Sequence, residues 1–166
     1  MTLDEGLLGG WPGERASWAP YYALHLLGRL RAHGCAAALL ALLDRSEDWL
    51  ADQLPPVWAQ MGPPAEPVLW AYLADMTRPS DIRAVAARGL RAIAEAHPGR
   101  RRDIVAGFAQ WLDRSAVEEA TLNGYVILIL KDMAAIEATD AVRRAFAQNK
   151  VDEKIVTPSD IPWKVR

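Results

Sequence analysis

The chain has 166 residues, a length that corresponds to one ordinary domain or one short repeat array. Hydrophobic residues make up 51% of it and charged residues 24%, which excludes a disordered tail and a fibrous protein. The 19 Lys and Arg residues and 21 Asp and Glu residues give a net charge of -2. Because contacts with phosphate call for a basic excess, this balance argues against nucleic acid as the partner.

Cysteine and histidine usage excludes the common metal sites. Cys35 is the only cysteine, so neither an intramolecular disulfide nor a cysteine-based zinc site can form. His25, His33 and His97 are too far apart in sequence for a helical pair of metal ligands, and we predict neither a metal nor a cofactor. The acidic N-terminus lacks the apolar core of a secretory signal, and no apolar run is long enough to span a bilayer. We therefore expect a soluble, cytoplasmic protein.

Gly, Pro and Ser residues divide the chain into three parts. Residues 1–17 are glycine-rich and are predicted to form a flexible leader. Residues 18–150 are rich in Ala, Leu and Arg and are interrupted roughly every 10 to 18 residues, as in an array of helical hairpins. Residues 151–166 are polar, contain Pro158 and Pro162, and are predicted to be extended. This tail is either a cap on the open face of the last repeat, which we prefer, or a peptide that another protein captures.

Within the central part, apolar residues recur at steps of three and four, as on the buried face of a helix. The clearest stripe comprises Ile82, Val85, Ala86, Gly89, Leu90 and Ile93. Ser46 and Ser80 are predicted helix N-caps, and Ser115 with Glu118 fits a capping box. The apolar run Tyr125–Leu130 has the composition of a buried strand as well, but we interpret it as helix because the chain offers it no partner strand.

The central pieces share a weak common form. They are Tyr21–Asp44, Leu50–Asp75, Asp81–Asp113 and a divergent unit from Ala120 to about Gln148. Two motifs stand out, Asp81-Ile82-Arg83 followed by Ala86-Ala87 and Leu90, and the step Leu26-Leu27-Gly28. This pattern resembles the short bacterial HEAT-like repeats of the phycobilisome-lyase type. The resemblance implies an all-α fold, a short right-handed α-α superhelix of about four helical hairpins, and no particular activity.

The 7 tryptophans are many for this length. Trp58 and Trp111 share the apolar stripes of their helices and are predicted to be core. Trp49 and Trp70 fall outside those stripes, so they either pack on the next repeat or contact a ligand. Because second helices line the concave face of HEAT-like arrays, Trp70 is the leading ligand-contact candidate. Gln110 and Arg144 follow it.

A second candidate surface is an aromatic and basic stripe on the first helix. Trp18, Tyr22, His25 and Arg29 share one side of that helix. The opposite side is predicted to comprise Leu24, Leu27 and Leu30. The stripe is either a partner surface or a surface that the leader covers through Trp11.

Three functions fit the sequence. The first is a non-enzymatic protein-protein interaction scaffold, supported by the array and by the lack of recognisable catalytic motifs. The second is an enzyme similar to the HEAT-like alkylpurine DNA glycosylases. Trp70 and Arg144 would be the aromatic and basic residues of its groove, although the net charge argues against this function. The third is an assembly subunit that forms homodimers through its end repeats.

Overall fold

The computed structural model describes residues 12–43 and 48–163, and these residues form helices joined by short turns, with no strand among them. The helices are α1 (Pro12–Arg29), α2 (Ala36–Leu43), α3 (Asp48–Met61), α4 (Glu66–Ala74), α5 (Ser80–Ala96), α6 (Pro98–Arg114), α7 (Ala120–Asp132) and α8 (Thr139–Ala147). Single turns of 3-10 helix precede α2, α4, α7 and α8, and another lies at Pro158–Asp160 in the tail. The all-α prediction is therefore confirmed.

Contacts between helices follow an alternating pattern. In one layer α1 packs on α3, α3 on α5, and α5 on α7. In the other layer α2 contacts α4 and α6 contacts α8. Trp70 of α4 packs against Phe108 of α6, with 5.1 Å between ring centroids and the two rings tilted by 57°. Contacts of α4 and α6 with α5 join the two layers, so α5 is packed against neighbours on several sides.

The centre of the core is the contact between α3 and α5. Trp58 is fully buried there, as its helical phase predicts. It fits against Gly89, where an added Cβ would lie 2.5 Å from Trp58 Cε3. Pro55 and Pro56 lie inside α3, and the helix continues through both to Met61. The absence of a side chain at position 89 therefore lets two helices approach closely around one large ring.

Two helix starts differ from the sequence expectation, and a third predicted start is not described by the structure. The first helix begins at Pro12, so part of the predicted leader is helical, while residues 1–11 lie outside the described residues. Ser80 is the first residue of α5 rather than its N-cap, which is Pro79. Ser46 also lies outside the described residues.

The predicted capping box at Ser115 and Glu118 is wrong. Ser115 ends α6, and its buried hydroxyl donates a hydrogen bond to the carbonyl of Leu112 at 3.1 Å. The backbone then stays extended through Ala116 before a 3-10 turn begins at Val117. The motif fails because the serine lies too far back to reach the first amides of the next helix.

The ambiguous apolar run Tyr125–Leu130 is helical, as predicted, and belongs to α7. Its side chains meet neighbouring helices over most of the helix surface, so no alternation of polar residues remains to reveal the helical period. Buried Asn123 of the same helix accepts a hydrogen bond from Trp111 Nε1 at 3.0 Å and donates one to the carbonyl of Lys150 at 2.8 Å.

The tail packs on the last hairpin instead of projecting from it. Its buried side chains are Val151, Val156, Ile161 and Trp163. Ile155 lies against Gly124 of α7, and the amide of Asp152 donates a hydrogen bond to the carbonyl of Ala120 at 3.0 Å. Of the two interpretations of the tail, this packing favours the cap.

Deleting residues 151–166 is expected to lower the melting temperature by at least about 5 °C, because each buried tail side chain contributes about 1.5–3 kcal/mol of burial free energy before the entropy of ordering is subtracted. Circular dichroism during heating measures this. The full-length variant Lys154→Ala, changed at an exposed tail residue, serves as the control and should melt with the wild type. A truncated chain with an unchanged melting temperature would contradict the capping role.

Candidate functional site

The outer side of α1 exposes a row of large apolar side chains. The exposed fractions are 56% for Trp18, 67% for Tyr22, 55% for Leu26 and 68% for Leu30. These residues are spaced by four, so they form one slowly turning ridge along α1; Leu30, one residue past its end, is still hydrogen-bonded to the carbonyl of Leu26. Of the residues predicted at this stripe, Trp18, Tyr22 and exposed Arg29 lie on this side, as expected.

Leu30 does not lie on the buried side, where the sequence pattern places it. Only Leu24 of the predicted set is buried, and Leu27 is half-buried. The core side of α1 instead uses Gly28, where an added Cβ would lie 2.8 Å from Gln60 Oε1 of α3. Among the described residues α1 has a neighbouring layer helix on one side only, and the pattern that is buried in inner helices is exposed here.

An apolar groove adjoins this ridge. It has a volume of about 320 Å³, and its lining residues come from α1, α2 and α3: Pro20, Ala23, Leu24, Leu27, Leu39, Leu42, Trp49 and Leu50. Trp49, one of the predicted binding residues, lies at this groove with 38% of its surface exposed. From Trp18 onward, the ridge and the groove together make this helix apolar around most of its circumference.

Trp70 is held between hairpins. It is half-buried and packs against Phe108. A Cβ added at Gly107 would lie only 2.6 Å from its ring. This placement matches the alternative that the off-stripe tryptophan packs on the next repeat. Gln110 lies on the exposed side of α6.

Arg144 pairs with an acidic side chain of the preceding hairpin. Its Nε and Nη2 donate hydrogen bonds to the two carboxylate oxygens of Asp113, both at 2.9 Å. These hydrogen bonds raise the pKa of the Arg144 guanidinium above its usual value. Arg144, which the sequence offers as a binding residue, thus joins α8 to α6.

A set of arginines that sequence reasoning did not single out joins successive hairpins. Arg100 forms a two-pronged ion pair with buried Glu66 at 2.9 and 3.0 Å, and these hydrogen bonds raise the pKa of Arg100. The next residue, Arg101, reaches the following hairpin at Glu137 and donates a hydrogen bond to the carbonyl of Met133. The basic run at the start of α6 therefore bridges the hairpins on both sides of it.

The most deeply buried ion pair is Arg83 with Glu119. Arg83 Nη1 lies 2.8 Å from Glu119 Oε2. Its Nε donates a hydrogen bond to the carbonyl of Leu73 at 2.7 Å, and its guanidinium lies over the ring of Trp111 at 5.5 Å. Arg83 belongs to the Asp81-Ile82-Arg83 motif, so the sequence signal was present, although the role of the side chain was not deduced from it.

A second groove lies between α5 and α7 and has a volume of about 340 Å³. Its two arginines are already paired. Arg88 donates hydrogen bonds to Asp52 and to the carbonyl of Ala51, and Arg91 to Glu95 and Asp132. The groove therefore presents internal ion pairs to solvent.

The described residues offer no metal site and no membrane span. Within 12–43 and 48–163, no three His, Cys, Asp or Glu side chains are grouped closely enough to hold a metal ion. None of the helices described is both long and apolar enough to cross a bilayer. His97 instead makes a structural contact, with its Nε2 lying 2.9 Å from the carbonyl oxygen of Ala59.

Comparison with known proteins identified no relative of this chain. The chain matches no protein-family model, no curated protein sequence and no solved structure.

Proposed function

We propose that the chain is a non-enzymatic protein-protein interaction scaffold, built as a HEAT-like, right-handed α-α superhelix of about four helical hairpins. The alternating contacts of the described helices support the array. Ion pairs that recur at one spacing support it too: Arg83–Glu119, Arg88–Asp52, Arg100–Glu66 and Arg101–Glu137 each join residues 34 to 36 positions apart. That separation falls within the range of about 20–50 residues in which the periods of repeat arrays lie.

The observation that carries the interaction role is the exposed ridge on α1, which we define as Trp18, Tyr22, Leu26 and Leu30. A helix that is apolar around most of its circumference is normally buried. Large exposed apolar patches on otherwise polar proteins mark sites of association. Tryptophan and tyrosine are moreover the residues that most often dominate binding energy at interfaces.

This proposal moves the binding surface from the second helices to the end of the array. Trp70 and Arg144, which suggested a ligand surface and also a glycosylase, both have partners within the fold. The α1 ridge combines exposure with aromatic character, and we therefore develop only the scaffold proposal.

A charge placed on the ridge is expected to abolish association. In an affinity capture from native extract, Tyr22→Glu should lose partners that the wild-type chain retains, because the carboxylate would have to be desolvated at the centre of the contact. Quantitative mass spectrometry of the captured proteins measures this loss.

Ile136→Glu is the matched control, because Ile136 has nearly the same exposure (65%) on a different hairpin. It should retain the partners, and both variants should keep the wild-type melting temperature. Loss of the same partners by both variants, or by neither, would contradict a binding role for the ridge.

A further inference from the structure

We propose that the occupant of the α1 ridge is a second copy of this chain, bound antiparallel through a twofold axis that crosses α1 between Tyr22 and Leu26. The proposal rests on the interaction role above and specifies its partner. It is argued from which end of the array is closed, from the charges along α1, and from the area of the ridge.

The two ends of the array differ. At the C-terminal end the tail buries Val156, Ile161 and Trp163 against the last hairpin, and Asp152 is hydrogen-bonded to α7. An end-to-end contact between copies would need an open apolar face at both ends. Only the α1 end exposes such a ridge among the described residues, so the second copy that we propose uses the same face. The contact is then isologous and closes as a dimer.

The ridge has a spacing that suits a second helix of its own kind. Side chains at intervals of four form the ridges that interdigitate in the commonest class of helix packing. In an antiparallel pair, the Trp18 end of one ridge meets the Leu30 end of the other. Large aromatic side chains then face smaller leucines, and two aromatic ends never have to share the same space.

The charges on α1 favour the antiparallel orientation. From Trp18 to its end at Arg29 the helix carries His25 and Arg29 and no acidic residue, and Arg31 follows in the next turn. A parallel pair would place Arg29 beside its own copy, and like charges at close range repel. An antiparallel pair separates the two Arg29 side chains and brings each near Trp18 of the partner copy, where a guanidinium can stack on an indole.

The exposed area of the ridge indicates how tight such a dimer is. Exposed aromatic and leucine side chains of this kind supply roughly 100 Å² each, or about 400 Å² per copy for the four of them. A standard stable interface buries about 800 Å² per partner, so flanking residues such as Ala19 and Ala23 must contribute the remainder. We therefore expect a dimer with a micromolar dissociation constant.

Light scattering on the full-length chain over a range of concentrations tests the dimer. The wild type should shift from the mass of one chain to twice that mass as its concentration rises through the micromolar range. Tyr22→Glu should weaken dimerisation by at least about tenfold, and Ile136→Glu should dimerise like the wild type. Unchanged melting temperatures will establish that both variants are folded.

Crosslinking tests the orientation. In a Cys35→Ala background, Trp18→Cys and Leu30→Cys chains should crosslink through a short bis-maleimide when mixed, and much less when either is alone. The reason is that about 18 Å of helix separates the two positions within one chain. Faster crosslinking within each unmixed variant would indicate a parallel pair and overturn the proposed geometry.

The remaining outcomes separate this proposal from the interaction role. A chain that stays monomeric at high micromolar concentration, yet loses an extract partner on Tyr22→Glu, overturns the second copy and leaves the scaffold standing. A monomer destabilised to heat by Tyr22→Glu would show that another segment of its own chain covers the ridge, which also overturns the second copy. A dimer broken by Ile136→Glu and retained by Tyr22→Glu would overturn both proposals.

Discussion

Replacing Arg83 with methionine is expected to lower the free energy of unfolding by about 3–5 kcal/mol, a large part of the stability of a single domain. The guanidinium is almost fully buried and contacts Glu119, the carbonyl of Leu73 and the ring of Trp111. Removing it leaves the Glu119 carboxylate buried without a counter-charge and the end of α4 without its donor. Urea unfolding followed by circular dichroism measures the loss.

The double variant Arg83→Met, Glu119→Leu is the informative comparison. Because the desolvation of two charges offsets much of their attraction, replacing both partners with apolar side chains should restore most of the stability that the single variant loses. Glu119→Leu alone should be strongly destabilising, since it leaves the arginine unpaired. If Arg83→Met alone costs less than about 1 kcal/mol, the pair does not join the hairpins as described.

The second large effect is expected at Trp58. Trp58→Ala should cost about 3–5 kcal/mol, because it empties a fully buried site between α3 and α5. Trp49→Ala, on the same helix but partly exposed, should cost clearly less and serves as the control. Trp58→Phe should lower the free energy of unfolding less than Trp58→Ala does, since Trp58 Nε1 has no hydrogen-bond partner among the described residues to lose.

Gly89 provides the reciprocal test of the same contact. Gly89→Ala should destabilise the chain by about 1–3 kcal/mol, although alanine favours helix, because the new methyl group would collide with the Trp58 ring. Combining it with Trp58→Leu should cost less than the sum of the two single changes. Strict additivity would mean that the ring yields freely and that the close approach of α3 and α5 is not fixed by position 89.

Local patterns predicted most of the helices and the centre of the core. Gly62, with φ of 81°, ends α3 where the sequence places a stop, and the stripe around Leu90 is buried as its period indicates. Trp58 was assigned correctly because its neighbours at steps of three and four are apolar. These properties depend on residues within one or two turns of each other, which is the range that periodicity reports.

The side chains that join hairpins could not be predicted in the same way. Arg100 and Arg101 look like a solvated helix start in the sequence, and their partners Glu66 and Glu137 lie 34 and 36 residues away in opposite directions. The same pattern of apolar residues in the sequence is buried in an inner helix and exposed in a terminal one. Only the presence or absence of a neighbouring hairpin decides the outcome, which is why Leu30 was assigned to the wrong side.

The closing of the C-terminal end by the tail has a consequence for synthesis on the ribosome. The surface of α7 that receives Ile155 and the amide of Asp152 is translated first and leaves the exit tunnel before those residues do. At translation rates of about 5–20 residues per second, the last hairpin therefore spends on the order of seconds with this surface open. Earlier hairpins are covered in turn by the hairpin that follows them. A chaperone that shields nascent chains would therefore protect this surface of α7 until the tail covers it.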